Sequence, residues 1–366
     1  MGLPQLADDP RGKIPTAAGD ARPAEWEPHE ATWIAWPHNR HDWPGKLSPI
    51  PWVYAEIVRR LAASEPVRIL VGTEAQQRRA RRLLKRVGAD LGRVEFHMAP
   101  TDRSWARDYG LFFVRRPRPE PRLAISRFRF NAWASYGNWH LDDAVPDTIA
   151  RWLGLPVFRA QRAGRDVVLE GGSIDVNGAG TLITTEECLL DQSVQVRNPG
   201  LDRRDMEQVL KDYLGATQLL WLGRGIAGDD THGHVDDLCR FVNRTTLVLC
   251  QETEPADANY APLQENRERL QRMRLEDGSG VEVVPLPMPA PLLLDGRRLP
   301  ASYANFYIAN DIVLVPTFND PQDRRALGIL ADLFPGRAAV GIHAVDLVWG
   351  LGTLHCLTHQ QPAAFD

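Results

Sequence analysis

The sequence is poor in the features that mark several large protein classes. Among its 366 residues there are four cysteines, Cys188, Cys239, Cys250 and Cys356, and no C-x-x-C pair. So few cysteines, all in apolar surroundings, exclude a disulfide-built scaffold. No apolar run approaches the roughly 18 residues of a membrane span. The N-terminus lacks the charged-then-apolar pattern of a secretory signal, so a reducing cytoplasm is the expected location. Basic excess is missing too: the formal net charge is -4, which argues against a nucleic-acid footprint. The densest basic run, QRRARRLLKRVG, carries Leu83, Leu84 and Val87 at helical spacing and reads as the wet face of an amphipathic helix.

What is present is an ordinary soluble composition, 43% apolar and 25% charged. Residues 1–22, rich in Pro, Gly and Asp, read as an N-terminal arm, and no Ser/Gly linker divides the remaining 23–366. A single domain is expected there. Helical periodicity marks PWVYAEIVRRLAASE, EAQQRRARRLLKRVG, DDAVPDTIARWLG, LDRRDMEQVLKDYLG, ADANYAPLQENRERLQRMRL and DPQDRRALGILADLF. Between them lie the β-branched runs VRILVG, RVEFHM, TQLLWLG, VEVVPL and AAVGIHAV. Alternation of this kind predicts an α/β protein. SIDVNGAGTLITT, CRFVNRTTLVLC and NFYIANDIVLVPTF each read strand, polar turn, strand. YGLFFVRRPRPEPRLAISRF is a looser fourth copy. The unit is hairpin, helix, strand, repeated at irregular spacing.

Strong polar groups stand just before these hairpins, in WARD, LEGG and THGHVDD. If the units surround one centre, Asp108, Glu170, His234 and Asp236 converge there. His234 and Asp236, two apart, share a face in an extended strand, and an imidazole beside a carboxylate suits acid/base work; the plain alternative is a wet strand edge. Asp108 follows Arg107, ordinarily the mark of a surface ion pair, but Trp105 nearby offers a flat face for a cation. Glu170 ends an apolar strand and is followed by two glycines, which permit close backbone approach to a ligand.

Cys356 lies in LHCLTHQQP, after the loop VWGLGT. An inert buried cysteine is the plain reading. The glycines before it, Gly352 nearest, open a second one, in which the sulfur is presented to a substrate. Carboxylates around a nucleophilic cysteine raise its pKa, so the combination makes sense only with a cationic substrate. Guanidinium is planar, permanently charged and a five-donor fork. Carboxylates can clamp it and hold its carbon for attack. A rival reading takes His232, His234 and Asp236 of THGHVDD as zinc ligands, with His355, Cys356 and His359 in reserve. A third is a non-catalytic binder of a cation, which would not need Cys356.

The stretches RPAEWEPHEATWIAWP, SWARDYG, FNAWASYGNW, LEGGSIDVNGAGTLITTEECLL, GDDTHGHVDD, ASYANFYIAN and LHCLTHQQP together resemble the agmatine deiminase and bacterial peptidylarginine deiminase family of guanidine-modifying enzymes. The resemblance implies a five-bladed α/β propeller (the pentein fold), although only four hairpins are visible. It implies Cys356 as nucleophile, His234 as acid/base, and Asp108 and Asp236 as guanidinium clamp, with Glu170 beside them. Trp105 and Gly352 are expected to border the substrate. It further implies hydrolysis of agmatine to N-carbamoylputrescine and ammonia through a covalent amidino-thioether, no metal or organic cofactor, and a homodimer. A peptidyl or otherwise substituted guanidine is the alternative substrate. The chain departs from the family pattern at RDYGL, GLGT, GHVDD and the Ala134-Ser135 that follows FNAW.

Overall fold

In the computed structural model, residues 14–116 and 122–364 are described. The helical and strand readings hold. The amphipathic segments form helices Ile50–Leu61, Glu74–Arg86, Val145–Leu153, Arg203–Leu214, Tyr260–Arg272 and Gln322–Leu333. Local chemistry sets their ends: Arg203–Leu214 opens on a capping box in which Asp202 accepts from the Asp205 amide and Asp205 accepts from that of Asp202.

Among the described residues the strands form five sheets of three or four strands and two small two-stranded ones. Four of the larger sheets repeat one plan. An antiparallel pair is followed by a helix, and the helix returns a strand parallel to the second member of the pair. The pairs are Leu111–Arg116 with Arg122–Arg127, Ile174–Val176 with Thr181–Thr185, Cys239–Phe241 with Thr246–Gln251, and Tyr307–Ile308 with Ile312–Thr317. The parallel additions are Val157–Arg159, Gln218–Leu222, Glu282–Pro287 and Ala338–His343.

The fifth sheet has no hairpin, and so its antiparallel pair could not be seen in the sequence. His29–Ala35 runs antiparallel to Thr358–Pro362, joining the two ends of the chain, while Val67–Val71 and Val94–Met98 add in parallel. The fold is therefore mixed α/β, as expected.

Strand alternation distributes the core. Along Leu111–Arg116, Leu111 and Phe113 join the larger apolar cluster, while Phe112 and Val114 face a second one with Phe128, Leu210 and Tyr213. Residues 1–13 of the expected arm lie outside the described residues. From residue 14 the chain is laid on the body: the Arg22 amide donates to the Leu214 carbonyl, Ala21 bridges Arg115, and the Arg22 guanidinium lies 4.8 Å over the Phe112 ring.

Candidate active site

Each polar stretch before a hairpin becomes a single tight turn. Ala106–Asp108, Gly171–Ser173 and Val235–Asp237 are one-turn 3-10 helices, and Leu354–Leu357 is a short α-helix that carries Cys356. This corrects the strand reading of His234 and Asp236. His234 caps the turn and Asp236 lies within it, so the pair shares a site through a bend, not a pleat. Asp229 holds that bend by accepting from the amides of Gly233, at 2.8 Å, and His234, at 3.1 Å. Thr185 adds a hydrogen bond to the Gly233 carbonyl.

The turns bring the predicted residues together. Asp108 accepts from the Gly172 amide at 2.9 Å through Oδ1 and from the Trp133 indole at 3.0 Å through Oδ2. His234 Nδ1 lies 3.8 Å from Asp108 Oδ2 and 3.9 Å from Asp236 Oδ1, and its Nε2 lies 3.7 Å from Glu170 Oε2. Gly172 is required by this crowding: a Cβ there would sit 2.5 Å from His234 Nδ1 and 2.9 Å from Asp236 Oδ2. Arg107 does not pair with Asp108. It is buried and turns to Glu25, Gln360 and the His355 carbonyl.

Cys356 sits at the end of a cavity of about 340 Å³, which Asp108, Trp105 and Gly352 also line. That is ample for a small ligand. Gly352 lies between ring and sulfur, since a Cβ there would be 2.8 Å from the Trp105 ring and 3.2 Å from Cys356 Cβ. His234, Asp236 and Glu170 are fully buried behind this wall. Among the described residues, nothing hydrogen-bonds Glu170 Oε2, Asp236 Oδ1 or either ring nitrogen of His234. Buried polar atoms are nearly always satisfied, and here four unpartnered atoms lie around one centre.

Electrostatics divide the carboxylates. Burial, reinforced by Asp236 and Glu170, lifts Asp108 to about 6 although His234 pulls the other way. Burial also opposes ionisation of Glu170, but Arg197, 3.2 Å from Oε1, and His234 outweigh it and bring Glu170 down to about 2. Asp236 is likewise held down against burial, chiefly by its bond to His355. Burial lowers His234, but Asp108 and other neighbours overcome it and raise the imidazole well above its ordinary value. The Cys356 thiol is pushed well up by burial and then by Asp236, Asp237 and Asp108.

Sequence reasoning missed several members. Asn305 donates from Nδ2 to Cys356 Sγ at 3.1 Å and to Asp237 Oδ1 at 2.9 Å, while its Oδ1 accepts from Thr353 Oγ1 and the His355 amide. Glu25 and Arg197 stand behind His355 and Glu170. Glu25 and Asn305 occur in RPAEWEP and ASYANFY, but nothing local marks them. The departures support the site from behind. Tyr109 donates to the Arg103 carbonyl at 2.6 Å, Thr353 holds Asn305, and burial together with Asp236 raises Asp237 well above the ordinary carboxylate range.

The zinc set of the rival reading does not assemble. His232 Nε2 bonds Asp191 at 2.8 Å, and His359 faces Phe113 with both nitrogens unpartnered. Two other groups, Glu170, Cys188 and His234, and Asp236, Asp237 and Cys356, keep their donor atoms within 4.8 Å of one another and could hold an ion. No helix among the described residues is long and apolar enough to cross a membrane.

The family described as Porphyromonas-type peptidyl-arginine deiminase matches residues 21–362. An agmatine deiminase of Stutzerimonas stutzeri is 35% identical over 96% of this chain and 98% of its own, and one of Pseudomonas syringae pv. tomato is 36% identical with the same coverage. The solved agmatine deiminase of Enterococcus faecalis superposes with a TM-score of 0.88 at 30% identity, covering 98% of this chain and 100% of that one. A cysteine-to-serine agmatine deiminase of C. jejuni with substrate bound gives 0.82 at 29% identity over 95% and 97%. These likenesses define an enzyme acting on carbon–nitrogen bonds of linear amidines. The chain belongs to the Porphyromonas-type peptidyl-arginine deiminase family.

Proposed function

We propose that the protein hydrolyses agmatine to N-carbamoylputrescine and ammonia, with Cys356 as covalent nucleophile. The observation that carries the reading is the convergence of Asp236 and His234 directly behind the cavity wall that Asp108 and Cys356 line, with Asp236 Oδ1 and both His234 nitrogens unpartnered. A guanidinium fills the need of the Asp236 oxygen, because it donates to several acceptors in one plane; the charged His234 ring is itself a donor.

The charge balance points the same way. Burial first, then the neighbouring acidic groups Asp236, Asp237 and Asp108, hold the sulfur in its thiol form. A guanidinium about 4 Å from a thiolate contributes about 4 kcal/mol at an effective dielectric of about 20. Substrate binding thus favours the thiolate, the thiol proton passing to solvent. Asp108 and Asp236 take the guanidinium. The sulfur attacks the central carbon, and one C–N bond breaks as His234 delivers a proton to the departing ammonia. An amidino-thioether remains on Cys356. His234 then takes a proton from water, whose hydroxide adds to the same carbon; the thiolate is expelled and the added hydroxyl loses its remaining proton to solvent, leaving the ureido product. Glu170, fixed by Arg197, faces the far nitrogen of His234 and stabilises its charged form. Asp230, which also lines the cavity and accepts from Tyr136 at 2.7 Å, offers a carboxylate to the primary ammonium of agmatine.

In the same reading, residues from 23 onward form one catalytic domain, with the five larger sheets as blades around the site. The test is ammonia and ureido-product release from agmatine, free arginine and an arginine-containing peptide side by side. Agmatine turnover is expected to dominate. Turnover of only another guanidine would keep the chemistry and reassign the substrate, and inactivity on all three would overturn the reading.

A further inference from the structure

We propose that Glu25 and His355 form a positioning relay that aims Asp236 at the guanidinium and ties the two ends of the chain to the reaction centre. The inference rests on the reading of Asp236 as one arm of the clamp. His355 Nδ1 lies 2.6 Å from Asp236 Oδ2, and Nε2 lies 2.8 Å from Glu25 Oε2. All three side chains are buried, at most 3% exposed.

The two arms of the clamp are held differently. Asp108 is fixed by a backbone amide and an indole, neither of which can titrate away. Asp236 has neither of these. Its Oδ2 is held by His355, which leaves Oδ1 unpartnered and 3.9 Å from His234. Oδ2 also lies 3.9 Å from Cys356 Sγ. Rotation of this carboxylate would therefore disturb the clamp and the nucleophile together.

Glu25 is positioned to prevent that rotation. Its Oε1 lies 3.0 Å from Arg240 and accepts from the Ile308 amide at 2.9 Å, and its Oε2 lies 3.3 Å from Arg107. Saturated in this way, Glu25 is a fixed anchor and not a group available to substrate. It precedes the strand His29–Ala35, whereas His355 immediately precedes Cys356 and lies just before the antiparallel partner Thr358–Pro362. Pairing of the chain ends thus completes the relay.

The test compares alkylation of Cys356 by a cationic reagent, 2-chloroacetamidine, with alkylation by neutral iodoacetamide, read by mass spectrometry of the Cys356 peptide. The ratio reports the clamp, while loss of packing alone lowers or raises both rates together. His355→Ala is expected to lower the cation preference by about tenfold or more, the usual scale for misplaced reacting groups. His355→Gln, which keeps one donor toward Asp236, should recover part of it. Glu25→Gln should lower it by about threefold through loss of a charge-assisted bond, with KM for agmatine rising more than kcat falls. Should His355→Ala fail to fold, the Glu25→Gln and His355→Gln proteins decide. An unchanged ratio in folded variants overturns the relay alone. Absence of any cation preference in the unaltered protein overturns the clamp reading and the relay with it.

Discussion

The floor of the cavity and its mouth are built by opposite rules. At the floor, Asp108 lines the cavity and Glu170, His234 and Asp236 lie buried behind it, each set by a one-turn helix and held by amides, an indole, an arginine or a histidine. Four of their polar atoms are nonetheless unpartnered. At the mouth, charges pair with one another, from the buried Arg103–Asp42 pair to an exposed hairpin turn. Arg103 bonds Asp42 and lies 4.0 Å over the Tyr136 ring, Arg298 grips Asp257, and the turn of the hairpin Leu293–Leu294 with Arg297–Arg298 leaves Asp295 and Arg297 exposed. In the proposed reading, the free carboxylate oxygens of the floor await one cation. The exposed hairpin turn at Asp295 and Arg297 can change without loss of the chemistry, so specificity is expected to reside there.

The sharpest way to break this contrast is at the floor. Cys356→Ala should abolish turnover, a loss of at least about 10⁴-fold, with the fold intact by circular dichroism. Residual activity above that would remove the covalent route. Asp108→Asn and Asp236→Asn should each lower kcat/KM by roughly 10² to 10³, the scale of one lost transition-state contact, as steady-state kinetics on agmatine would show.

Removing an anchor should cost stability as well as rate. Arg197→Met leaves Glu170 buried without its cation, and thermal or denaturant unfolding should show a loss of about 3–5 kcal/mol. A loss below about 1 kcal/mol would mean that Glu170 simply takes up a proton.

The pH dependence follows from two carboxylates shifted in opposite senses. Asp108, at about 6, is protonated first as pH falls. Guanidinium affinity, measured by calorimetry with agmatine and the Cys356→Ala protein, should weaken below pH 6 by about tenfold per unit. In stability the signs differ. Glu170 lies below its ordinary 4.5, so its contribution is present above that pH and is lost as pH falls toward 2. Asp108 lies above its ordinary 3.8, so its contribution is full below that pH and is lost as pH rises through 6. A flat affinity from pH 7 to pH 5 would contradict the assignment of Asp108 to the clamp.

The mouth should respond least. Arg297→Ala is expected to change kcat/KM for agmatine by no more than about threefold, because a surface charge contributes little. A larger loss confined to a carboxylate-bearing guanidine would place the specificity of this chain at that hairpin.

The same contrast governs how far the sequence could be read. Helices, strands and four hairpins were legible because periodicity and turn residues are local. The clustering of polar residues before hairpins was legible for the same reason, and it located Asp108, Glu170, His234 and Asp236. What stayed hidden depends on distance along the chain. The antiparallel partner of His29–Ala35 is Thr358–Pro362, and the bond from Glu25 to His355 spans 330 positions. Asn305 meets Cys356 across 51. No periodicity records such pairings. His355 was legible only as a metal ligand, and the bend at His234 was mistaken for a strand, because a single 3-10 turn is too short to leave a pattern.

The central claim is that the Cys356 sulfur carries the amidino group, and rapid quenching of the enzyme with agmatine followed by mass spectrometry tests it most directly. The account predicts an amidino adduct on the Cys356 peptide that forms and decays with release of N-carbamoylputrescine. Steady turnover with Cys356 unmodified throughout, or undiminished in the Cys356→Ala protein, would contradict it.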